Sequence, residues 1–523
     1  MRILLLLIIT LISYCLSYGN NTLRIIPQVQ ECAVNESHSL IIPHQIKVYA
    51  EKKYLNELEM LEKYLIYDFN IQATRSSAED ALIRLQTNHN VPQKEGAYNL
   101  EVNEKGIHIQ SDTPTGIFYG IQTLRQIIGQ NGQKFHIPYL NIQDFPAYKW
   151  RSFMLDEARY FKGKQVVCKL LDEMARLKMN IFHWHLTDDQ GWRIEIKKYP
   201  KLTEIGAYRD SSELYHFGSN IFDSTPHWGY YTQKEIKEIV EYAAQRHIQI
   251  VPEIEMPGHA SAAIAAYPWL GCTQKQITVP GKFGVHYETY HIAKSKVQAF
   301  LYDVLKEVLN LFPSTVIHIG GDEVKYDYWQ QNPEVRLYMK RHNIHSMPRL
   351  QLHFTNEVSH WLSKHGRRMM GWNEILGSAI HDYQINAEKE SSLSDMNDKL
   401  AANAIVQVWS GGEEQVRKAL SKGYDVVNSQ IEYTYLDYDT PMEKVYAFSP
   451  MPSNITSEEA GHLIGCGCQM WGEFIPTAND MYRKVFPRIA ACAEVDWTLP
   501  EKKDYSLFKQ IAVRLYDEEN YNK

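Results

Sequence analysis

Side chains that can transfer protons occur in this chain directly after short apolar runs. The pair Asp322-Glu323 follows the run Val316–Ile319 through two glycines, which let the backbone come close to a ligand. Two neighbouring carboxylates resist ionising together, so one of them can stay protonated near neutral pH and donate its proton to a leaving group. The alternative is structural: an Asp that caps a helix, followed by a first-turn Glu stabilised by the helix dipole.

Polar or aromatic residues follow nearly every apolar run in the second part of the chain. Trp372, Trp409 and Trp471 each follow one of these runs. Any one of them can be an ordinary core residue, but three at equivalent positions indicate walls for a sugar ring. The full set is Asp156, Arg159, His183, Trp184, His185, Asp188, Asp189, Glu253, Glu255, His259, Asp322, Glu323, Trp372, Asn373, Glu374, Gln407, Trp409, Trp471 and Glu473.

The pair His183 and His185 has a spacing with which a metal site can begin. Such a site needs further ligands, and the later runs are followed mainly by Trp, Gln and Tyr, which zinc does not prefer. We therefore expect no metal ion and no organic cofactor. The two histidines are instead expected to orient neighbouring carboxylates.

The apolar runs alternate with amphipathic helical patterns, which is typical of βα units and a parallel sheet. Eight runs follow the break at Asp144-Phe145-Pro146, and eight strands close a TIM barrel, whose active site lies at the carboxyl ends of the strands. The predicted strands are Ser152–Asp156, Asn180–Leu186, Ile248–Glu255, Val316–Gly320, Arg368–Trp372, Ile405–Trp409, Asp425–Asn428 and Ile464–Trp471. The predicted helices are Lys164–Lys178, Thr232–Arg246, Lys294–Phe312, Arg349–His365, Glu413–Lys422 and Asn479–Glu494.

Residues 19–145 mix short β-like runs with two helical patterns. We therefore predict an α/β protein in which a (β/α)8 TIM barrel catalytic domain, residues 146–523, is preceded by a smaller α+β domain. A polar stretch, residues 386–398, is predicted to be a loop between the fifth and sixth barrel strands. The β-like runs of the first domain are Leu23–Pro27, Ile46–Tyr49, Ala81–Gln86, Tyr98–Val102 and Gly106–Gln110, and its helical patterns are Leu55–Tyr67 and Pro114–Ile128.

Composition argues against a nucleic-acid partner, because 55 Lys+Arg against 62 Asp+Glu give a net charge of −7 without a long basic run. Residues 1–18 have the charged start and short apolar core of a secretory signal peptide. We expect export to the periplasm, cell surface, lysosome or medium, with no integral membrane segment after signal removal. Six cysteines remain after signal removal, which is too few for a disulfide framework. The sequence leaves open whether the protein forms a homodimer.

Three motifs together resemble the family 20 glycoside hydrolases, the β-N-acetylhexosaminidases. They are HWHLTDDQGWR at His183–Arg193, HIGGDE at His318–Glu323 and GWNE at Gly371–Glu374, and the resemblance runs from about residue 23 to 520. It implies an exo-acting, retaining enzyme that cleaves terminal β-linked N-acetylglucosamine or N-acetylgalactosamine from glycans or chitooligosaccharides. In this family the substrate's own acetamido group is the nucleophile, an exception to the two-carboxylate scheme.

The resemblance also implies roles for individual residues. Glu323 matches the general acid/base, and Asp322 matches the residue that holds the acetamido N–H and stabilises the oxazolinium intermediate. Tyr435 matches the tyrosine that bonds the acetamido oxygen. The implied substrate-binding residues are Arg159, Asp188, His259, Trp372, Trp409, Asp437, Trp471 and Glu473, with His185 and Glu255 supporting them.

The chain departs from the family pattern at a few positions. Glu255 stands where Asp is usual, Tyr160 follows Arg159 where His is common, and Tyr290–Ala293 replaces a Cys-Pro or Asn-Pro segment on the aglycone side. Two alternatives stay open. One is a relative with the same mechanism but a disaccharide-releasing or linkage-restricted specificity, and the other is a catalytically silent glycan-binding protein on the same scaffold.

Overall fold

The computed structural model describes residues 23–132, 134–377 and 399–516. The predicted signal segment and the predicted loop at residues 386–398 lie outside these ranges. The chain divides into two compact units, the first formed by residues up to Pro146 with Thr498–Leu507, and the second by Ala147–Trp497 with the residues from Phe508 onward. Within the described ranges, no helix is both long and apolar enough to cross a membrane.

The first unit is an α+β fold with one mixed sheet in the order β1-β8-β5-β6-β4-β2-β3, and β7 pairs with β8. The predicted strand Leu23–Pro27 is wrong: this segment has no sheet partner, and Pro27 has no backbone N–H to donate. The strands are β1 Glu31–Ile42, β2 Gln45–Ala50, β3 Gln72–Arg75, β4 Ile83–Thr87, β5 Tyr98–Asn103, β6 Gly106–Ser111, β7 Gly129–Asn131 and β8 Lys134–Asp144, and the helices are α1 Leu55–Phe69 and α2 Pro114–Ile127.

The second unit is a closed barrel of eight parallel strands, which confirms the predicted (β/α)8 architecture. Each strand pairs with the next in chain order, and the last pairs with the first. The barrel strands are β9 Trp150–Asp156, β10 Ile181–His185, β11 Gln249–Glu253, β12 Val316–His318, β13 Arg368–Trp372, β14 Ile405–Val408, β15 Asp425–Asn428 and β16 Leu463–Met470.

Helices follow the barrel strands largely as predicted, with one correction. The predicted helix Asn479–Glu494 is two helices, because Pro487 cannot donate an intrahelical hydrogen bond and restricts the residue before it. The remaining helices are α3 Lys164–Arg176, α4 Lys201–Glu204, α5 Gln233–Ala244, α6 Ser261–Ala266, α7 Ser295–Leu311, α8 Asp327–Gln331, α9 Pro333–Arg341, α10 Met347–Lys364, α11 Gly412–Ser421, α12 Ile431–Thr434, α13 Met442–Tyr446, α14 Ser457–His462, α15 Ala478–Val485, α16 Arg488–Trp497 and α17 Tyr505–Leu515.

The strand register places polar residues of four neighbouring strands in one layer of the barrel. His185 is the register partner of both Asp156 and Glu253, and Glu253 is the partner of His318. This layer lies at the carboxyl ends of the strands, where the barrel architecture predicts a site. Below it the barrel is filled by an apolar cluster of Trp150, Ile181, Val251, Val316, Met370, Ile405 and Val427.

Candidate active site

A pocket of about 570 Å³ contains most of the predicted site residues, and its size is typical of small-ligand sites. Eleven of the thirteen line it. The other two are buried: His185 contacts Asp188 of the lining, and Glu255 has an oxygen within 4.8 Å of a ring nitrogen of His185. The eleven are Arg159, Asp188, His259, Asp322, Glu323, Trp372, Trp409, Tyr435, Asp437, Trp471 and Glu473.

The loop after β12 carries Asp322 and Glu323 into this pocket. Gly320 and Gly321 have φ angles of 65° and 88°, and a Cβ on Gly320 would lie 1.8 Å from Oε2 of Glu255. Glu323 itself has a φ of 51°, a conformation that costs energy for a residue with a side chain. The helix-capping alternative is wrong, because the next helix, α8, begins only at Asp327.

His259 joins this loop to the carboxylates after β10. Its Nδ1 lies 3.2 Å from Asp188 and 3.0 Å from Asp189, while Nε2 lies 3.7 Å from Asp322 and 3.5 Å from Glu323. Burial by itself would lower the pKa of His259, but the charge of Asp188 and the hydrogen bonds to the carboxylates raise it well above its ordinary value. His259 is therefore a cation beside the two candidate catalytic carboxylates.

Asp322 is buried and titrates close to neutral pH. Burial raises its pKa to about 6; the His259 cation opposes this rise, and the neighbouring Glu323 adds to it. The carboxylate oxygens of Asp322 and Glu323 and a ring nitrogen of His259 all lie within 4.8 Å of one another. At pH 7 Asp322 is therefore mostly ionised, next to a second carboxyl group that is partly exposed to the pocket.

Arg159 is held by partners that only partly follow from the sequence. Its Nη2 lies 2.9 Å from Asp188 and 3.6 Å from Glu473, its Nη1 lies 3.1 Å from Asp156, and its Nε donates to Gln190 at 3.0 Å. Gln190 was not among the predicted site residues, although it lies inside the HWHLTDDQGWR motif. These contacts fix the plane of the guanidinium. The N–H groups that it can offer to a ligand therefore have one orientation in the pocket.

Glu253 was found in the sequence as a polar residue at a strand end, but no role was predicted for it. Its carboxylate lies 2.8 Å from Nε2 of His183, 2.6 Å from Nδ1 of His185 and 2.9 Å from Nδ1 of His318, and it accepts a hydrogen bond from Nε1 of Trp372 at 2.9 Å. Burial would raise the pKa of Glu253, but the three imidazoles keep it well below its ordinary value. Glu253 is thus a buried anion that orients one wall of the pocket.

His185 connects Glu253 to the pocket lining, because its Nε2 lies 2.9 Å from Asp188. Burial opposes protonation, yet Glu253 and the hydrogen bond to Asp188 raise the pKa of His185 to about 10. Burial lowers the pKa of His183 to about 4, which leaves that imidazole neutral at pH 7. The two histidines of the motif therefore differ in charge, although the sequence places them alike.

Four aromatic rings form one side of the pocket. Trp372 and Trp471 lie with ring centroids 5.9 Å apart, Trp471 and Tyr435 lie 6.0 Å apart, and Trp409 stacks on Tyr435 at 6.3 Å. Nε1 of Trp409 donates to Glu374 at 3.1 Å, so Glu374 orients this ring, a contact that the sequence analysis did not predict. Rings arranged in this way can enclose a flat, apolar group such as a methyl or one face of a sugar.

Glu255 contributes an unusual neutral group. Both of its carboxylate oxygens are buried and have no hydrogen-bond partner among the described residues. Burial raises the pKa of Glu255 well above its ordinary value, and the charges of Asp322 and Glu253 raise it further. Glu255 therefore stays protonated at neutral pH, in contrast to Glu253 two residues earlier.

Groups of His and carboxylate residues with metal-ligand chemistry do occur here, for example His183, Glu253 and His318. Their nitrogen and oxygen atoms face one another as imidazole–carboxylate pairs. The charge of Glu253 is balanced by the His185 cation, whose Nδ1 lies 2.6 Å from the carboxylate. The expectation of a metal-free site remains a prediction.

Comparison with known proteins identifies the family. Residues 148–500 match the catalytic domain of glycosyl hydrolase family 20, and residues 22–145 match domain 2 of the same family. A beta-hexosaminidase of Porphyromonas gingivalis is 34% identical over 440 residues, which cover 80% of this chain and 53% of the relative. The chain thus spans about half the length of that relative.

Two solved structures are similar over nearly the whole chain. The beta-N-acetylhexosaminidase from Bacteroides fragilis has a TM-score of 0.80 at 29% identity, covering 95% of this chain and 96% of that one. The exo beta-N-acetylglucosaminidase from Vibrio harveyi, in complex with N-acetylglucosamine, has a TM-score of 0.81 at 28% identity, covering 97% and 80%. The catalytic-domain match spans more than half of the sequence, and the protein belongs to glycosyl hydrolase family 20.

Proposed function

We propose that this protein is an exo-acting β-N-acetylhexosaminidase that removes terminal, non-reducing β-linked N-acetylglucosamine or N-acetylgalactosamine from glycans or chitooligosaccharides. The observation that carries the proposal is that Asp322, Glu323 and Tyr435 line one pocket together with three tryptophans. The Vibrio harveyi relative, which has this fold, binds N-acetylglucosamine. Family membership supports the same class of substrate here.

The spacing of the carboxylates supports a nucleophile supplied by the substrate. A retaining glycosidase with its own nucleophile places two carboxyl groups on either side of the scissile bond. Asp322 and Glu323 instead project from adjacent positions of one loop, with oxygens within 4.8 Å of each other and of His259. Two groups on one loop reach the sugar from one side, so the second face is left to the acetamido group of the substrate.

In the first step, the acetamido oxygen attacks the anomeric carbon and the glycosidic bond breaks, while Glu323 protonates the glycosidic oxygen so that the aglycone leaves as an alcohol. Asp322, ionised at neutral pH, accepts the acetamido N–H and stabilises the positive charge of the oxazolinium intermediate. Tyr435 donates its hydroxyl hydrogen to the acetamido oxygen and so aims it, and the tryptophans exclude other orientations of the acetamido methyl.

In the second step, Glu323 acts as a base and removes a proton from water, which attacks the anomeric carbon and opens the oxazolinium ring. Two inversions at the same carbon leave the product with the β configuration of the substrate. Since Glu323 alternates between acid and base, its partly exposed position at the pocket opening gives water access to it.

Exo-action is supported by the polar residues that face the non-reducing end. Arg159, Asp437 and Glu473 line the same pocket, and the Nη2 of Arg159 lies 3.6 Å from Glu473. Oδ1 of Asp437 is buried without a hydrogen-bond partner among the described residues, so it is available to a sugar hydroxyl. These groups would bind the hydroxyls of a terminal sugar.

The proposal is tested by hydrolysis of the 4-nitrophenyl β-glycosides of N-acetylglucosamine, N-acetylgalactosamine and glucose, with and without EDTA and a thiazoline inhibitor. We expect release from the two acetamido sugars alone, blocked by the thiazoline and indifferent to the chelator. Glu323→Gln should reduce turnover about a hundredfold or more on natural oligosaccharides and much less on activated leaving groups. Release from plain glucoside at an equal rate, or full activity in both Glu323→Gln and Asp322→Asn, would contradict it.

A further inference from the structure

We infer that Arg488 is a positioning residue for the segment 435–440, which carries Tyr435 and Asp437 into the pocket. The inference rests on the proposed function, because it concerns two side chains that the proposed reaction uses. Arg488 itself does not line the pocket. Its effect on the reaction would therefore pass entirely through the backbone of the segment.

The guanidinium of Arg488 binds the segment at every second residue. Arg488 is the first residue of α16, and it is buried with 8% exposure. Its Nη1 donates to the carbonyl oxygens of Tyr438 and Thr440, and its Nη2 donates to those of Leu436 and Lys484. Since carbonyls 436, 438 and 440 turn toward Arg488, one rigid planar group fixes the backbone around residues 435 and 437.

This guanidinium is held by carbonyl dipoles. Among the described residues no ion pair links Arg488 to a carboxylate, and Asp437 and Asp439 act on it only at longer range. Burial lowers its pKa, which shows that the cation is placed there at a cost. A lysine would keep the charge, but its single ammonium group cannot reproduce the fork that spans three carbonyls.

The segment is also held at its start and at Asp437, whose carboxylate accepts a hydrogen bond from the backbone N–H of Trp471. The backbone N–H of Leu436 donates to the carbonyl of Gln469 at 2.7 Å, and Tyr435 forms a parallel bridge with Gln469 on β16. Further along, Asp439 pairs with Lys484 at 2.6 Å, but this carboxylate is exposed, and such pairs contribute little. Beyond residue 436, the hydrogen bonds of Arg488 thus hold the backbone of the segment, while the bond from Trp471 holds the side chain of Asp437.

Arg151 provides a matched control for a purely structural guanidinium. It is also buried, with 2% exposure, and it donates to the carbonyls of Lys178 at 2.8 Å and Tyr148 at 2.9 Å. It lies near the amino end of β9, at the opposite end of the barrel from the pocket. Replacing it removes similar hydrogen bonds without touching the segment 435–440.

The experiment compares Arg488→Lys, Arg488→Gln and Arg151→Lys, each alone and with Tyr435→Phe. For every variant kcat and KM are measured on 4-nitrophenyl β-N-acetylglucosaminide, with thermal unfolding and amide hydrogen exchange of residues 435–441. We expect Arg488→Lys to lower kcat/KM about tenfold to a hundredfold and to speed exchange in this segment. In the Tyr435→Phe background the same change should cost far less, and Arg151→Lys should lower the melting temperature with kcat/KM near that of the wild type.

Equal kcat/KM for Arg488→Lys and Arg151→Lys would overturn the inference, as would an equal loss in both Tyr435 backgrounds. If neither Arg488 variant folds, Arg488 belongs to the structural core and the positioning role is wrong. Failure of the proposed function is a separate result, because the wild type would then release no nitrophenol from any glycoside. Hydrogen exchange would then still test whether Arg488 fixes the segment. Faster exchange at residues 435–441 in Arg488→Lys supports this role, and unchanged exchange refutes it.

Discussion

The charge of His259 has a measurable effect on the pH dependence of the proposed reaction. The change is His259→Asn, which retains a side-chain amide near the position of Nδ1, toward Asp188 and Asp189, and removes the cationic Nε2. That nitrogen lies 3.7 Å from Asp322, whose ionised form stabilises the oxazolinium in the proposed mechanism. Without the cation, ionisation of Asp322 becomes harder and the acid limb of kcat/KM should move to higher pH.

The size of this effect follows from the distance. Two unit charges 3.7 Å apart at an effective dielectric constant of about 20 interact by roughly 4.5 kcal/mol, equivalent to roughly three pKa units. Water that enters beside the smaller Asn will screen part of this. We therefore expect the pKa of Asp322 to rise from about 6 by about 1 to 3. At pH 6 this lowers kcat/KM about fivefold or more, while at high pH the variant recovers toward the wild type.

The assay is the pH profile of kcat/KM on 4-nitrophenyl β-N-acetylglucosaminide. An activated leaving group is chosen because it depends little on the proton from Glu323, so the acid limb reports mainly on Asp322. His462→Asn is the control: His462 also pairs with an aspartate, Asp425 at 2.9 Å, but at the amino ends of β15 and β16. Its acid limb should coincide with that of the wild type.

An acid limb of His259→Asn that coincides with the wild type, or that moves to lower pH, would refute this reasoning. The first result would mean that His259 is neutral in the folded protein or that Asp322 need not ionise. A uniform loss of activity at all pH values would show that His259 acts through the orientation of Asp188 and Asp189, without an electrostatic effect on Asp322.

Three further predictions concern the buried groups behind the pocket. Glu255→Gln should raise the melting temperature at pH 8 but not at pH 4. The pKa of Glu255 is raised in the folded protein, so this carboxyl group lowers stability only at a pH above its ordinary pKa, where it ionises in the unfolded chain. Glu253→Gln should lower the free energy of unfolding in urea by about 3–5 kcal/mol, since the His185 cation loses its counter-charge. Gly320→Ala should abolish activity in the nitrophenol assay, because its Cβ would overlap Glu255, and adding Glu255→Asp should restore part of it.

The barrel was predictable from sequence because each of its strands is buried on both faces. Such strands are nearly continuous apolar runs, and all eight predicted runs contain an observed strand or coincide with one within about two residues. The first domain was harder. Strand β1, Glu31–Ile42, is largely exposed along its length and so lacks the alternation that indicates a strand, although β8 pairs with it over most of its residues.

The site was predictable where a residue acts on its own and unpredictable where it acts through a neighbour. The motif residues that line the pocket were found by type and position at strand ends. Glu253 was found in the same way, but its role could not be predicted, because that role depends on the strand register that brings His185 and His318 beside it, and on Trp372, which is distant in the chain. Arg488 gave no signal at all, since its partners are backbone carbonyls, which every residue has.

The charges behind the pocket alternate in sign from the barrel axis to the candidate catalytic loop. Glu253 is an anion, His185 a cation, Asp188 an anion, and Arg159 and His259 are cations that face the pocket. Each buried charge therefore has a partner of opposite sign at hydrogen-bonding distance, which is the condition under which burial of charge is tolerated.

Burial, which the last cation of this series only partly offsets, explains why Asp322 titrates near neutral pH. Asp322 stands at the end of the series, buried and 3.7 Å from His259, and Glu323 adds to the rise of its pKa, so its ionised form is only partly compensated. An anion left short of positive charge is suited to a reaction whose intermediate brings a positive charge of its own. Full compensation by a second cation would stabilise the resting enzyme and weaken the attraction to the oxazolinium, so the incomplete pairing at Asp322 favours catalysis.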